Sequence, residues 1–69
     1  MNATVAVTVN GVAREVAARS VDDLVAALGL AGKRIAVERN GEIVPRSRYM
    51  QTPLVNGDRL EIVGAVGGG

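Results

Sequence analysis

The chain has 69 residues, of which 48% are apolar, 22% are charged and 1% are aromatic, with a formal net charge of +1. A chain of this length forms one small domain that needs nearly all its apolar residues for its own core, which excludes a two-domain enzyme with a deep cleft. Valine is the most frequent apolar residue, and this favours a sheet combined with helix over a helical bundle.

The chain contains no cysteine and no histidine. This excludes a disulfide framework, a thiolate metal site and an imidazole base, so we predict that the chain is not an enzyme and holds no metal. The acidic residues are spread along the chain and are expected to be solvated: Glu15, Asp22, Asp23, Glu38, Glu42, Asp58 and Glu61.

The charge pattern and the chain start also limit location and partners. A near-neutral chain with one aromatic residue is poorly equipped for nucleic acid, so no nucleic-acid partner is expected. No apolar run approaches the roughly 18 residues of a membrane span, and the start lacks the features of a signal peptide. We therefore expect a cytoplasmic protein that does not contact membranes.

The first predicted element is a hairpin. Residues 4–9 alternate Val with Thr or Ala, which predicts a strand with its valines on one face. Asn10 and Gly11 follow, and both tolerate the positive φ angles of a two-residue type I′ turn. Residues 12–16 are therefore predicted to return antiparallel to the first strand.

A helix is predicted next. Apolar residues recur at i, i+3, i+4 and i+7 over residues 21–28. Ser20 is expected to cap this helix by accepting a hydrogen bond from the backbone N–H of Asp23, in a weaker form of the capping box. Gly29 fits a left-handed residue just after the helix, which is predicted to end near Leu28.

Two strands and a second hairpin follow the helix. Residues 35–39 predict a short strand, and Asn40-Gly41 predicts a turn to residues 42–44, where Pro45 ends the pairing. The combination of strands with one helix predicts an α+β domain, with the helix lying across one face of the sheet.

The last third of the chain has one further strand. Residues 46–56 lack periodicity and are predicted to form a connecting loop with one short turn. After a turn at residues 56–58, the alternation in residues 59–63 predicts the last strand. Val44 and Val55 are expected in the core, whereas Tyr49 is a candidate for an apolar docking patch.

The sequence ends in three glycines, for which core packing offers no explanation. Because glycine loses the most conformational freedom on ordering, we predict a folded domain over residues 1–63 and a flexible tail over residues 64–69. An unstructured end without a role is one interpretation. The other is that the α-carboxylate of Gly69 is the reactive group, which a partner must activate and which the slim tail carries into that partner's pocket.

Several motifs together resemble the ThiS family of sulfur carrier proteins, within the ubiquitin-like β-grasp superfamily. They are the Asn10-Gly11 hairpin, the helix with its Ser20 cap, the run from Ala36 to Arg46, the run from Asn56 to Val63, and the Gly68-Gly69 end. The resemblance covers the whole chain. It implies a β-grasp fold with a mixed sheet of four to five strands and one main helix packed across one face.

The resemblance also implies a chemistry. In this family the terminal glycine carboxylate is adenylated with ATP by an E1-like enzyme, ThiF, and becomes a thiocarboxylate with sulfur that originates on a cysteine desulfurase. The thiocarboxylate then supplies thiazole synthase, ThiG, in thiamine biosynthesis. By position, Gly69 bears the reacting carbonyl, Gly68 is its slim neighbour, and Gly67, Val66 and Ala65 form the threading segment. No cofactor is implied for this chain itself.

Other functions stay open at this point. The small subunit of molybdopterin synthase shares the fold, the tail and the thiocarboxylate but delivers sulfur to a pterin. A carrier for another sulfur-containing metabolite, or a ubiquitin-like tag joined to lysine, is a further alternative. A β-grasp module that binds RNA would use arginines as phosphate contacts. Its candidates are Arg34, Arg39, Arg46 and Arg48, which could instead face solvent or an acidic surface of the activating enzyme.

Overall fold

The computed structural model describes residues 4–64, which form five strands, one α-helix and one 3₁₀-helix. In chain order these are β1 (Val5–Val9), β2 (Val12–Val16), α1 (Val21–Ala27), β3 (Ile35–Arg39), β4 (Glu42–Val44), the 3₁₀-helix (Arg46–Gln51) and β5 (Arg59–Gly64). The sheet has the strand order β2-β1-β5-β3-β4. Strand β5 lies at its centre, parallel to β1 and antiparallel to β3. The predicted α+β class, with a mixed sheet and one main helix, is confirmed.

Both predicted hairpins are present. The φ angles are 51° at Asn10 and 82° at Gly11 in the first turn, and 53° at Asn40 and 86° at Gly41 in the second. Two consecutive positive φ angles are what a type I′ turn requires, and the strands on either side pair antiparallel as predicted.

The helix begins and ends where the sequence predicts. Ser20 accepts a hydrogen bond from the Asp23 N–H at 3.2 Å, while the Asp23 carboxylate accepts from the N–H of Arg19 at 2.9 Å. Gly29 follows the helix with a φ of 75°, and its N–H and that of the next residue donate to carbonyls of the last turn at 3.0 and 2.9 Å. This pattern is a Schellman motif, which satisfies the carbonyls that a helix end leaves unpaired.

The core lies between α1 and one face of the sheet. Its buried apolar residues are Val7, Val9, Ala18, Val21, Leu24, Val25, Val37, Val44, Tyr49, Leu54, Leu60 and Ile62. The alternation of the strands therefore places one face of the sheet against the helix. The opposite face is the one that presents alternate, exposed residues such as Glu61 and Val63.

The segment between β4 and β5 differs from the prediction. Residues 46–51 form a six-residue 3₁₀-helix where one short turn was expected, and Tyr49 is buried in the core, so its assignment to a docking patch was wrong. Val44 is buried as expected, but Val55 is 52% exposed. A short helix with a single buried residue has no periodicity to read, and this is why the sequence pattern missed it.

Candidate functional site: strand β5 and the tail that follows it

The residues that the sequence assigns to the site are Ala65, Val66, Gly67, Gly68 and Gly69. All five lie outside the described residues. What the structure describes is their point of attachment, the end of β5. This strand includes Gly64, which pairs with Ile35 of β3, so the strand runs one residue further than the boundary predicted for the tail.

The end of β5 is held by a side chain from the first hairpin. Strand β1 pairs with β5 only as far as Val9 and Leu60. Beyond that point the Asn10 side chain continues the contact: its Oδ1 accepts from the Ile62 N–H at 2.8 Å, and its Nδ2 donates to the Ile62 carbonyl at 2.9 Å. The amide group thus replaces a backbone peptide and fixes the part of β5 that leads to the tail.

The start of β5 is held by a buried carboxylate. Asp58 is 3% exposed, so the expectation that it is solvated was wrong. Its oxygens accept hydrogen bonds from Arg39 Nε at 2.9 Å, Asn40 Nδ2 at 3.0 Å and the Val55 N–H at 2.9 Å. Asn40 also accepts from the Arg59 N–H at 2.9 Å, which ties the second hairpin to β5.

The same contacts set the ionisation of this carboxyl group. Burial by itself raises the pKa of Asp58 because it disfavours the charged form. The hydrogen bonds from Val55, Arg39 and Asn40, together with the positive charge of Arg39, outweigh burial and hold the pKa below its ordinary value. Asp58 is therefore a charged structural residue and not a general acid.

Gly64 is free of steric constraint in the folded domain. Its φ is outside the left-handed region, and a Cβ placed on it would meet no atom within 4 Å. The fold alone therefore gives no reason for a glycine at this position, in contrast to Gly57, which has a φ of 91°.

The four arginines considered for RNA do not form one stripe. Arg34 precedes β3 and Arg39 ends it, which separates them by about 17 Å along the strand. Arg39 is paired with Asp58, and Arg46 donates to the Lys33 carbonyl at 2.7 Å. Arg34 and Lys33 precede Ile35, the residue that pairs with Gly64, by one and two positions, so two basic residues lie near the described end of β5.

Other kinds of site are absent from the described part of the chain. Within residues 4–64, no three residues among Asp, Glu, His and Cys are grouped so that they could hold a metal ion. The same residues contain no helix long and apolar enough to cross a bilayer.

Comparison with known proteins agrees with the geometry. The model of the ThiS family matches residues 7–69, a range that includes the tail. This chain belongs to the ThiS family. The sulfur carrier protein ThiS of Bacillus subtilis is 44% identical over 50 residues, which cover 72% of this chain and 76% of that protein. The crystal structure of the thiamine biosynthesis protein ThiS from Geobacter metallireducens superposes with a TM-score of 0.77, at 37% identity, covering 93% of this chain and 99% of that one.

Similarity also extends to a segment of a longer protein, a thiazole synthase. A thiazole synthase of Paramagnetospirillum magneticum is 47% identical over 62 residues, which cover 88% of this chain but 19% of that protein. This chain therefore spans about a fifth of the length of that relative. The predicted family and the ubiquitin-like β-grasp fold are confirmed by these matches together.

Sequence reasoning missed the three side chains that hold β5. The sequence predicts Asn10 and Asn40 only as turn residues, but the side-chain amide of each also forms hydrogen bonds with the backbone of β5. A signal was available in the choice of Asn over Asp at both turns, because only the amide offers a donor and an acceptor together. Nothing in the sequence indicated the burial of Asp58.

Proposed function

We propose that this chain is a sulfur carrier protein of thiamine biosynthesis whose Gly69 α-carboxylate is adenylated and then converted to a thiocarboxylate. The observation that carries the proposal is the match to the ThiS family through residue 69, where the glycine-rich end follows the central strand of the sheet in the sequence. The folded domain has no catalytic role in this proposal. It presents the tail to enzymes that act on it.

The proposed chemistry takes place at one carbonyl carbon. A carboxylate oxygen of Gly69 bonds to the α-phosphorus of ATP and diphosphate leaves, which gives an acyl adenylate. The terminal sulfur of a persulfide on a partner then attacks the carbonyl carbon and AMP leaves, which gives an acyl disulfide. A second thiol of that partner attacks the inner sulfur, so that the S–S bond breaks, a disulfide forms on the partner, and the thiocarboxylate is released with sulfur in place of one oxygen. ATP is a substrate of the activating partner, and this chain needs no cofactor of its own. Its lack of cysteine means that it carries no thiol that could attack the activated end.

The tail suits this role by its reach and its width. Residues 65–69 extend at most about 17 Å from Gly64, enough to enter a pocket while the domain stays outside. Gly67, Gly68 and Gly69 bring no side chains that would clash with the walls of such a pocket. Ala65 and Val66 complete the threading segment.

The proposed partners are an adenylating enzyme of the ThiF type and a thiazole synthase of the ThiG type, with a cysteine desulfurase as the indirect source of sulfur. Two thiazole synthases contain a segment similar to this chain, at 47% and 38% identity, and this supports thiazole synthase as the enzyme that receives the sulfur. It also favours thiazole over a pterin as the acceptor.

Arg46 and Arg48 are proposed to meet an acidic surface of the adenylating enzyme. Both are exposed, and Arg46 donates to the carbonyl of Lys33, which lies two residues before the strand partner of Gly64. Reversing both charges should slow adenylation at low salt. An unchanged rate under those conditions would contradict this contact.

The proposal is tested by the intact mass of the protein isolated from cells with an active thiamine pathway. We expect a species with one oxygen replaced by sulfur, which maps to the C-terminal peptide. Appending one alanine after Gly69 removes the free carboxylate from this glycine, so it should abolish this species and leave the melting temperature unchanged. The matched control is one alanine inserted after Met1, at the other end, which should leave sulfur loading intact. If the variant with the appended alanine still acquires sulfur without first being trimmed, the assignment of the Gly69 carboxylate as the reacting group is refuted.

A further inference from the structure

The face of the sheet opposite α1 carries an exposed apolar and acidic patch. Residues directly opposite each other in paired strands share a face, and Glu38 of β3 lies opposite both Ile43 of β4 and Glu61 of β5. In the next row Ala36 lies opposite Val63. We name these five residues the open-face patch. Ile43 is 74% exposed and Val63 is 59% exposed.

The two carboxylates of the patch are an unfavourable feature of the fold. Side chains directly opposite in neighbouring strands have Cβ atoms about 5 Å apart, so the charges of Glu38 and Glu61 repel each other. Within residues 4–64, neither side chain forms a hydrogen bond or an ion pair of 4 Å or less. Arg59 lines the same hollow as both glutamates without pairing to either.

Folding alone does not account for this arrangement. An exposed Ile and an exposed Val beside two repelling carboxylates cost stability and expose apolar area to water. A bound partner removes both unfavourable features, because it covers the apolar side chains and can place a cation between the two carboxylates. The hydrogen bonds and charge attraction formed there would be stronger than in water, since the contact is shielded by the surrounding apolar side chains.

The position of the tail indicates which partner covers the patch. Val63 is separated from the tail by Gly64 alone, so an enzyme that takes up residues 65–69 has to lie within about 17 Å of the patch. Among the relatives, a segment similar to this chain occurs within thiazole synthases, where it accounts for 19% and 16% of the protein. The enzyme that is covalently joined to this domain in those relatives is the best-supported occupant.

We propose that the open-face patch is the docking surface for thiazole synthase, and that an arginine or lysine of that enzyme, set among apolar side chains, is received between Glu38 and Glu61. This inference rests on the function proposed above. Ile43 and Val63 supply the apolar contact on either side of the cation. An arginine fits best, because its planar group can donate to two carboxylates at once while its stem packs on the apolar residues.

The test compares charge reversal at two exposed glutamates of the same sheet face. Glu61 belongs to the patch, whereas Glu15 is on β2, opposite Ala6 and two strands away from β5. Glu61→Lys and Glu15→Lys change the net charge of the chain by the same amount. Binding to the thiazole synthase of the same organism is measured by calorimetry at low ionic strength with the full chain. We expect Glu61→Lys to raise Kd by at least about tenfold and Glu15→Lys by less than about twofold.

A second measurement separates docking from folding. Glu61→Lys replaces the repulsion from Glu38 by attraction but brings the new lysine beside Arg59 in the same hollow, so its melting temperature should change by less than about 5 °C while its affinity falls. Ile43→Ser, at a residue that is 74% exposed, should weaken binding by about threefold or more with little change in melting temperature. A structural defect would lower stability and affinity together.

The outcomes decide between clear alternatives. Equal affinities of Glu61→Lys and Glu15→Lys for thiazole synthase would overturn the docking surface. So would a Glu61→Lys variant that loses affinity for the adenylating enzyme alone. If the unaltered chain does not bind thiazole synthase, both this surface and the proposed partner are wrong. Sulfur loading of Gly69, read from the intact mass, is measured independently and still decides whether the chain is a sulfur carrier.

Discussion

The two ends of strand β5 are both held by an asparagine from an Asn-Gly hairpin, but the surroundings of the two side chains differ. At the start of the strand, Asn40 bonds to the backbone of Arg59 and to the buried carboxylate of Asp58. At the end of the strand, Asn10 bonds to the backbone of Ile62 and to no charged group.

This difference shows how one turn motif serves two purposes. The start of β5 is part of a charged network that joins β3, the second hairpin and the turn at Val55. The end of β5 is fixed by a single neutral amide, next to the residues that continue into the tail. The start of the strand therefore has more side-chain hydrogen bonds than the end, and the end is held in place without a buried charge.

Replacing Asp58 with alanine should have the largest effect on folding. The variant leaves Arg39, Asn40 and the Val55 N–H without their acceptor, so we expect the free energy of unfolding to fall by about 2 to 4 kcal/mol. Urea denaturation measures this loss. Glu15→Ala, at an exposed acidic residue, should change stability by less than about 0.5 kcal/mol. A loss below about 1 kcal/mol for Asp58→Ala would show that this network does not hold β5.

Low pH should weaken the hydrogen bonds that hold the start of β5, because it protonates Asp58. Its pKa is lower in the folded state than in the unfolded state, so the unfolded chain binds the proton more readily as the pH falls. The stabilisation is complete above the unfolded pKa of about 3.9 and is lost as the pH falls through the folded pKa. Melting temperatures recorded from pH 5 downwards should therefore drop less steeply for Asp58→Asn than for the unaltered chain.

The two asparagines are compared directly by replacing each with glycine, which retains the positive φ of the turn and removes the amide. Asn40→Gly should cost about 1 to 2 kcal/mol, because it takes a donor from a buried carboxylate. Asn10→Gly should cost about 1 kcal/mol. Hydrogen exchange then locates each effect: the amide of Ile62 should exchange faster in Asn10→Gly, and the amide of Arg59 faster in Asn40→Gly. An Ile62 amide that stays protected in Asn10→Gly would contradict the role given to that side chain.

Gly64→Ala should have the smallest effect on folding. A Cβ at this position meets nothing within 4 Å, so the free energy of unfolding should change by less than about 0.5 kcal/mol. Gly57→Ala is the matched control, and its φ of 91° should make it cost about 1 to 2 kcal/mol. If Gly64→Ala then lowers sulfur loading, glycine at this position serves a partner. If sulfur loading is unchanged in Gly64→Ala, the partner enzymes require glycine only at positions after residue 64.

Local sequence by itself determined the hairpins, the helix and its ends. Asn-Gly turns require positive φ angles that few other dipeptides tolerate, and the Ser20 cap and Gly29 end act through residues at most five positions away. Such contacts form between near neighbours in the chain, so a pattern in the residues is enough to predict them.

The tertiary structure alone decided what those turns are attached to. The Asn10 amide reaches Ile62 across 52 positions, and Asp58 becomes buried because Arg39 and Asn40 arrive from 19 and 18 positions away. Tyr49 entered the core because the 3₁₀-helix carries it there, and Val55 stayed outside because its turn directs only its N–H inwards, to Asp58. These outcomes depend on which strands become neighbours in the fold. The type of a residue does not determine which distant residue it will contact, because that contact forms only when the chain has folded.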